Sequence, residues 1–341
     1  MDGLVVSAPS NIFYLSGFRG SSGALLVTSE RAVLFSDFRY RIQAKEQASE
    51  CEFEEVERRL LHGVGRFARE AGLSRVGYDP AHLTCALREQ LAEGASEVEL
   101  RASGGMVEEL RAVKDVEEVE LIRQAAGLAD AALAYMVSLL RPGAVERDIA
   151  LEGEFLMRRE GAEEAAFEVI VASGERSALP HADTTGRELE RGDLVVIDIG
   201  AQVAGYCSDM TRTFGVVSLS SQAQEIYRVV YRAQRASAAE VRAGAVCGEL
   251  DAVARGLIAD AGYGECFGHG LGHGVGIDVH EGPRLGRDEE TKLVAGNVVT
   301  VEPGIYLEGM GGVRLEDLVV VGDEGAETLT GAPMAPEVPV V

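Results

Sequence analysis

The chain has few basic residues for its size, and this shortage limits its partners. Its 341 residues include 32 Lys and Arg against 56 Asp and Glu, which gives a formal net charge of −24 at pH 7. Nucleic acids and anionic membrane surfaces are polyanions, so a protein of this charge is repelled by both. We therefore expect no nucleic-acid partner and no membrane partner. The acidic balance does not identify a substrate.

Cysteine pairs and long apolar runs are also missing. The five cysteines are scattered and include no Cys-x-x-Cys pair, which argues against a disulfide framework and against a zinc-finger site. No stretch approaches about 18 consecutive apolar residues, and no basic region precedes the short apolar run at the start of the chain. Neither a membrane span nor a signal peptide is therefore expected. Together these features predict a protein of the cytoplasm.

Residues 194–214, LVVIDIGAQVAGYCSDMTRTF, predict a β-hairpin with a carboxylate on each strand. Asp198 interrupts an apolar run, where burying an unpaired carboxylate would be costly. Asp209 shares a predicted strand face with Thr211. If the strands pair across the turn, the two carboxylates converge, and oxygen donors on rigid strands suit a hard divalent cation. The alternative is a hairpin with one buried aspartate at a turn and one aspartate on the surface.

The length is suited to two domains, and the sequence pattern changes near residue 110. The first 110 residues predict a small α/β domain with strands at 4–6, 24–27 and 32–35 and a helix at 53–71. The remaining residues predict helices at 116–140, 146–159, 221–241 and 249–261. The first of these begins at a capping box, Asp115-x-x-Glu118, and the third is predicted to be capped by Ser221. Two helices followed by acid-bearing strands occur twice, which predicts a pseudo-twofold repeat with a site at its centre.

Glycine and histidine alternate in residues 267–283, FGHGLGHGVGIDVHEGP. Glycine at every second position leaves one face of a strand bare, so that another backbone or a ligand can approach closely. His269 and His273 lie on the other face, and His280 requires the chain to bend. The G-x-G-x-x-G spacing of a nucleotide-binding loop is absent. We therefore interpret this stretch as a strand that lines a pocket.

A second predicted hairpin, residues 297–321, again has an acid on each strand. Glu302 follows the apolar NVVTV and Glu316 precedes DLVVV. Two hairpins with two acids each, plus a histidine, make a site for two divalent cations, which would cancel four carboxylate charges. The oxygen-rich donor set favours Mn²⁺, with Co²⁺ or Zn²⁺ as alternatives. Two such ions suit hydrolysis. A nucleophile formed by Cys266 and His269 is the rival interpretation, and it leaves four acids on core-like strands unexplained.

These strings resemble the pita-bread metallopeptidases, the family of methionine aminopeptidase, aminopeptidase P and prolidase. The matching strings in the catalytic half are VIDIGAQVAGYCSDMTRTF, GHGLGHGVGIDVHEGP, VEPGIY and GGVRLED. NIFYLSGF and FSDFRY resemble the N-terminal domain of the creatinase, prolidase and aminopeptidase P branch. The resemblance implies an α/β (α+β) protein. A smaller creatinase-type α/β domain at 1–110 would precede a pita-bread catalytic domain with a pseudo-twofold repeat at 111–341.

The resemblance also implies an activity, which is metal-dependent hydrolysis of Xaa-Pro peptide bonds in proline-containing peptides. We interpret the chain as a prolidase-like Xaa-Pro dipeptidase. An Xaa-Pro aminopeptidase that acts on longer peptides is the alternative, and a non-catalytic peptide-binding module is a remote one. A homodimer is the family expectation.

Ligand roles follow from the resemblance, position by position. The implied metal ligands are Asp198, Asp209, His273, Glu302 and Glu316. Asp198 would bind one ion, Asp209 and Glu316 would bridge both, and His273 and Glu302 would complete the other. Glu302 is also the implied proton shuttle.

The implied substrate pocket consists of three histidines, a tyrosine and an arginine. They are His181, His269, His280, Tyr306 and Arg314. His280 would donate a hydrogen bond to the substrate carbonyl or the oxyanion, and His181 would line the pocket and assist the proline nitrogen. His269, Tyr306 and Arg314 would support the ligands or line the pocket, with Arg314 pairing with a ligand carboxylate. Two structural histidines at 181 and 269 are the alternative.

Overall fold

The structure, a computed structural model, describes all of residues 1–341. The chain divides into two compact units, Met1–Arg111 and Ala112–Val341. None of the helices combines the length and the apolar character that a membrane-spanning segment requires.

The first unit contains a mixed six-stranded sheet. Its strands are β1 (Gly3–Val6), β2 (Ala24–Thr28), β3 (Ala32–Ser36), β4 (Glu52–Glu55), β5 (Arg75–Tyr78) and β6 (Glu99–Ala102). The helices are α1 (Pro9–Ser16), α2 (Arg41–Gln47), α3 (Leu60–Glu70), α4 (Cys85–Gly94) and α5 (Met106–Ala112). The strand order is β4-β3-β2-β1-β5-β6. Strands β1, β2 and β3 pair antiparallel, whereas β5 and β6 continue from β1 in parallel and β4 pairs in parallel with β3.

The helix predicted at residues 53–71 is wrong in its first part. Residues 52–55 form β4, and α3 begins only at Leu60. Glutamates favour helix in isolation, but here pairing with the buried strand β3 overrides that preference. Phe53 packs against a core cluster of the unit. Arg59, with φ of 53°, has a left-handed backbone that separates the strand from the helix.

The second unit contains four long helices and thirteen strands. The helices are α6 (Val116–Leu139), α7 (Glu146–Glu160), α8 (Ser221–Ala239) and α9 (Cys247–Asp260). The strands of its first half are β7 (Glu164–Ala165), β8 (Ile170–Ser173), β9 (Leu194–Ile199), β10 (Ala201–Val203), β11 (Tyr206–Cys207) and β12 (Met210–Gly215). Those of its second half are β13 (Gly272–Gly274), β14 (Glu281–Leu285), β15 (Val298–Val301), β16 (Gly304–Leu307), β17 (Gly311–Arg314), β18 (Asp317–Val321) and β19 (Ala326–Thr328).

The order of elements repeats within the second unit, as the sequence predicts. Helices α6 and α7 precede a sheet of order β12-β9-β8, and α8 and α9 precede a sheet of order β14-β13-β15-β18-β19. Each helix pair packs with its own sheet in a separate hydrophobic cluster. Two smaller sheets, β11-β10-β7 and β16-β17, complete the unit. The acid-bearing segments therefore belong to two buried sheets, each backed by helices.

Helix starts in the second unit follow local capping chemistry. The Asp115 side chain accepts hydrogen bonds from Glu117 N and Glu118 N, and Glu118 returns one to Asp115 N, so the predicted capping box is confirmed. The predicted cap at Ser221 is wrong. Ser220 has the extended backbone of an N-cap, and its hydroxyl accepts from the backbone N–H of Ala223 at 3.1 Å.

The first predicted hairpin forms with one interruption. β9 and β12 pair antiparallel with Thr211 opposite Asp198, whereas β10 and β11 pair with each other in a different sheet. The break falls at Gly200, where an added Cβ would lie 2.1 Å from the carbonyl oxygen of Ser208. Because the chain leaves the sheet here, Asp209 lies just before β12 rather than on it.

Candidate metal centre

The five predicted ligands all lie on or directly beside strands of the two buried sheets. Asp198 is on β9, Asp209 precedes β12, His273 is on β13, Glu302 follows β15 and Glu316 precedes β18. Strand ends bring the side chains to one place and hold them rigidly. Glu316 is 1% exposed and Asp209 is 5% exposed.

Distances show which of these side chains meet. His273 Nε2 lies 3.2 Å from Glu302 Oε1 and 3.6 Å from Asp209 Oδ2. One donor atom from each of Asp209, His273 and Glu316 lies within 4.8 Å of the others. Asp198 is connected to this cluster through two side chains. Arg314 Nη2 donates to Asp198 Oδ2 at 2.6 Å, and Arg314 Nε donates to the Thr211 hydroxyl, which in turn donates to Glu316 Oε2.

The face of β13 that its glycines leave without side chains packs against the backbone of neighbouring segments. An added Cβ at Gly272 would lie 2.1 Å from the carbonyl oxygen of Thr300, and one at Gly274 would lie 2.1 Å from that of Gly282. Of the two alternatives left open by the sequence, backbone approach is the one observed. The strand is shorter than predicted, since β13 spans only Gly272–Gly274, with a register shift between His273 and Gly274, and His269 lies before it.

A chain of hydrogen bonds connects three of the predicted pocket residues to Asp198. Arg314 Nη1 donates to the Tyr306 hydroxyl oxygen at 3.1 Å, while its Nη2 holds Asp198. His269 Nδ1 faces the carbonyl oxygen of Gly270 at 2.8 Å and so carries the proton, which leaves Nε2 to accept from the Tyr306 hydroxyl at 2.9 Å. This side of the site is therefore rigid.

The remaining two predicted pocket residues are exposed. The His280 ring lies 4.3 Å from the His273 ring, measured between centroids, on the bend between β13 and β14. His181 follows Pro180, whose carbonyl oxygen accepts from Arg314 Nη1 at 3.0 Å. Both imidazoles are thus accessible to solvent next to the acidic cluster.

The electrostatics of the cluster are those of several acids in one buried place. Burial, with the added charge of Glu316, raises the pKa of Asp209 well above its ordinary value. Burial and the charge of Glu302 raise the pKa of Glu316 in the same way. Burial also acts to raise the pKa of Glu302, but the hydrogen bond and charge of His273 outweigh it, so this pKa is lowered. Positive charge close to these carboxylates would relieve their repulsion.

Two buried oxygens provide the test of whether a cation fits. Asp198 Oδ1 and Glu316 Oε1 have no hydrogen-bond partner although each is shielded from solvent. Buried carboxylate oxygens are normally satisfied, so each requires an explanation. Carboxylate oxygens and an imidazole nitrogen are donors for hard or borderline divalent cations. The residues present therefore fit divalent metal ions.

Two threonines to which the sequence motifs assign no role support the acids. The Thr211 hydroxyl donates to Glu316 Oε2 at 2.6 Å and accepts from Arg314 Nε at 3.0 Å. The Thr300 hydroxyl lies 3.2 Å from Glu302 Oε1 and accepts from the backbone N–H of His273 at 3.0 Å. Each threonine is two residues from a predicted ligand, and that spacing on a strand was the available signal.

Fold and site together define a protein with a divalent-metal centre between two acid-bearing hairpins, and comparison with known families identifies its class. A model of metallopeptidase family M24 matches residues 120–323, and a model of the creatinase/prolidase N-terminal domain matches residues 1–113. The chain belongs to metallopeptidase family M24. The predicted family and fold class are thereby confirmed, and the family implies divalent metal ions.

Similar proteins extend over nearly the whole chain. The structure of an Xaa-Pro dipeptidase from Bacillus anthracis is 39% identical with a TM-score of 0.96, covering 100% of this chain and 95% of that one. An Xaa-Pro dipeptidase of Pyrococcus horikoshii is 37% identical over 97% of this chain and 93% of its own length. The structure of an X-Pro aminopeptidase from Thermotoga maritima is 36% identical with a TM-score of 0.91, covering 100% of this chain and 98% of that one.

Proposed function

We propose that this chain is an Xaa-Pro dipeptidase that hydrolyses the bond before proline with the help of two divalent metal ions. The observation that supports it most is the grouping of His273 with Asp209, Glu302 and Glu316 on rigid strand ends. The Xaa-Pro dipeptidases of similar sequence and fold support the choice of substrate.

Five side chains would hold the ions in this proposal. They are Asp198, Asp209, His273, Glu302 and Glu316. Four carboxylates and one imidazole favour Mn²⁺, with Co²⁺ and Zn²⁺ as alternatives. When bound, such ions make water more acidic and polarise a carbonyl group.

The chain's own residues would orient the peptide and move the proton. Glu302 receives a proton on its carboxylate, whose Oε1 accepts a hydrogen bond from the Thr300 hydroxyl at 3.2 Å. The exposed imidazole of His280 donates an N–H to the developing oxyanion, a contact whose removal typically costs about 10²–10³ in rate. His181 lines the pocket beside the proline nitrogen. His269, Tyr306 and Arg314 form the fixed wall, because they are joined by hydrogen bonds.

An Xaa-Pro aminopeptidase is the second candidate, and the similar aminopeptidase of Thermotoga maritima favours it. The deciding experiment adds Mn²⁺ to the purified chain and follows release of the first residue from an Xaa-Pro dipeptide and an Xaa-Pro-Yaa tripeptide, with and without chelator. Chelator-sensitive cleavage of the dipeptide alone supports the dipeptidase. Equal or faster cleavage of the tripeptide identifies the aminopeptidase. Metal binding without cleavage of either peptide leaves the peptide-binding module.

One substitution tests the residue assignment. Replacing Glu302 with glutamine removes the proton acceptor, so turnover of the preferred Xaa-Pro peptide is expected to fall below detection. The matched control is Glu308→Gln, the same change at an exposed position in the β16–β17 turn. Wild-type turnover by Glu302→Gln would contradict the assignment.

Domain roles, location and assembly belong to the same proposal. Residues 111–341 would be the catalytic domain and residues 1–110 the accessory one. All five cysteines are unpaired, which supports a reducing compartment such as the cytoplasm. The family resemblance supports a homodimer, for which light scattering should give twice the 36.2 kDa of one chain.

A further inference from the structure

The two buried carboxylate oxygens without partners belong to carboxylates that are held in the same way. Asp198 presents Oδ1 and Glu316 presents Oε1 without a hydrogen-bond donor. In each case the second oxygen is fixed. Asp198 Oδ2 accepts from Arg314 Nη2 at 2.6 Å, and Glu316 Oε2 accepts from the Thr211 hydroxyl at 2.6 Å. A carboxylate held by one oxygen has its other oxygen directed by that contact.

Arg314 sets both of these contacts. Its Nη2 reaches Asp198 directly, and its Nε donates to the Thr211 hydroxyl oxygen at 3.0 Å. A guanidinium can only donate, and a hydroxyl has a single proton. Arg314 Nε occupies one lone pair of the Thr211 oxygen, and the hydroxyl donates its single proton to the Glu316 carboxylate, which can only accept. Thr211 therefore links the arginine to the glutamate through one side-chain oxygen.

Thr211 also holds the main chain of the same glutamate. The backbone N–H of Glu316 donates to the Thr211 carbonyl oxygen at 3.1 Å. Thr211 is fully buried and lies opposite Asp198 in the β9–β12 ladder. It is thus fixed against one carboxylate by strand pairing and against the other by two hydrogen bonds.

We propose that Thr211 is a positioning residue for the metal centre, which transmits the orientation of Arg314 to Glu316 and keeps one oxygen of that carboxylate available to a cation. The inference rests on the proposed function, since it assumes that the ions bind at this cluster. It assigns to Thr211 no contact with substrate and no part in proton transfer.

The test measures metal binding by the metal-free chain rather than activity. Co²⁺ alone is titrated into wild type, Thr211→Val and Thr211→Ser, with heat of binding and the visible absorption of the bound ion as readouts. Valine preserves the buried shape and removes the hydroxyl. Loss of a group that orients a metal ligand typically weakens affinity about 10–100-fold. We expect a loss in this range for Thr211→Val with an altered absorption spectrum, and near wild-type binding for Thr211→Ser.

Thr213→Val is the matched control. Thr213 is buried on the same strand, and its hydroxyl contacts only the main chain of Arg314, donating to the carbonyl oxygen at 2.9 Å and accepting from the N–H at 3.2 Å. Thermal unfolding of all metal-free variants shows whether each one folds. If Thr213→Val weakens Co²⁺ binding as much as Thr211→Val, or if Thr211→Val binds as wild type does, the positioning role is refuted.

Two further outcomes separate this inference from the proposed function. If wild type binds no Co²⁺, the proposed metal centre fails and this inference fails with it. If Thr211→Val does not fold, Thr211→Ser decides, because the serine variant retains the hydroxyl in a smaller side chain. Wild-type affinity and spectrum in the serine variant then support the role, and a loss as large as 10-fold overturns it.

Discussion

The contact between β13 and β15 is tight enough that one methyl group at Gly272 should destabilise the second unit. An added Cβ there would lie 2.1 Å from the Thr300 carbonyl oxygen and 2.7 Å from its hydroxyl oxygen. Real Cβ atoms do not approach other atoms closer than 3.0 Å, so one of the two strands must move by about 1 Å. β15 is held on its other side by four paired positions of β18, which opposes such a movement.

The expected size follows from the cost of forcing extra volume into a packed interior. Overpacking by a methyl group typically costs about 1–3 kcal/mol, and the obstacle here is backbone, so we expect the upper end, about 3 kcal/mol. For a unit of this size each kcal/mol lowers the unfolding temperature by about 2–4 °C. Gly272→Ala should therefore lower it by about 6–12 °C. The shift should also disturb the Thr300 hydroxyl, which bonds His273 and Glu302.

Calorimetry of the metal-free protein measures this effect, with Gly268→Ala as the control. Gly268 precedes β13 in the same Gly/His run, and an added Cβ there meets no atom within 4 Å. Its unfolding temperature should stay within about 1–2 °C of wild type, since a substitution away from packed features usually changes stability by less than about 0.5 kcal/mol. Equal unfolding temperatures for Gly272→Ala and Gly268→Ala would refute the reasoning, because they would mean that the strand yields without cost.

Three further perturbations have expected outcomes. Lys114 and Glu281 form a buried ion pair, with Nζ 3.2 Å from Oε2 and side chains that are 1% and 7% exposed. Lys114→Met breaks this pair, so the free energy of unfolding measured in urea should fall by about 3–5 kcal/mol, and adding Glu281→Gln should restore part of it. Asp115→Ala removes the N-cap of α6 and should lower the free energy of unfolding, measured in the same way, by about 1 kcal/mol. Asp115→Asn retains a capping side chain and should lower it less. Mn²⁺ at about 100 times its dissociation constant should stabilise the chain by about 2.7 kcal/mol, and a chelator should reverse this; an unchanged unfolding temperature with Mn²⁺ would argue against the proposed centre.

The parts of the fold that the sequence predicted well are those with a local physical signal. The first helix of the second unit has both an apolar period and a complete capping box at Asp115, and it begins and ends within one residue of the prediction. Glu302 and Glu316 are recognisable in the sequence because a carboxylate beside a run of valines is costly to bury without a partner. Such signals lie within a few residues of one another, so they can be read from one chain.

The sequence-based predictions fail where a residue far away in the sequence determines the local structure. Glu52–Glu55 became a strand because β3 lies beside them, and no residue near position 53 reports that neighbour. Alternating glycines showed that something approaches β13, but only the fold shows that it is the carbonyl of Thr300. The role of Thr211 likewise depends on Arg314, which is 103 residues away.

The candidate site is assembled where the ladders of the sheets end, and this explains why its acids are held so firmly. In the β15–β18 ladder the last pair is Val301 with Asp317, so Glu302 and Glu316 leave the same end of the sheet. Their backbone N–H groups lie beyond the ladder and donate to other segments, Glu302 N to the Leu271 carbonyl oxygen at 2.8 Å and Glu316 N to that of Thr211 at 3.1 Å. One bond ties the second hairpin to the histidine strand and the other ties it to the first hairpin. The main chain therefore fixes the relative positions of the acids before any side-chain contact is made, and a metal ion entering this site would meet donors that need little rearrangement.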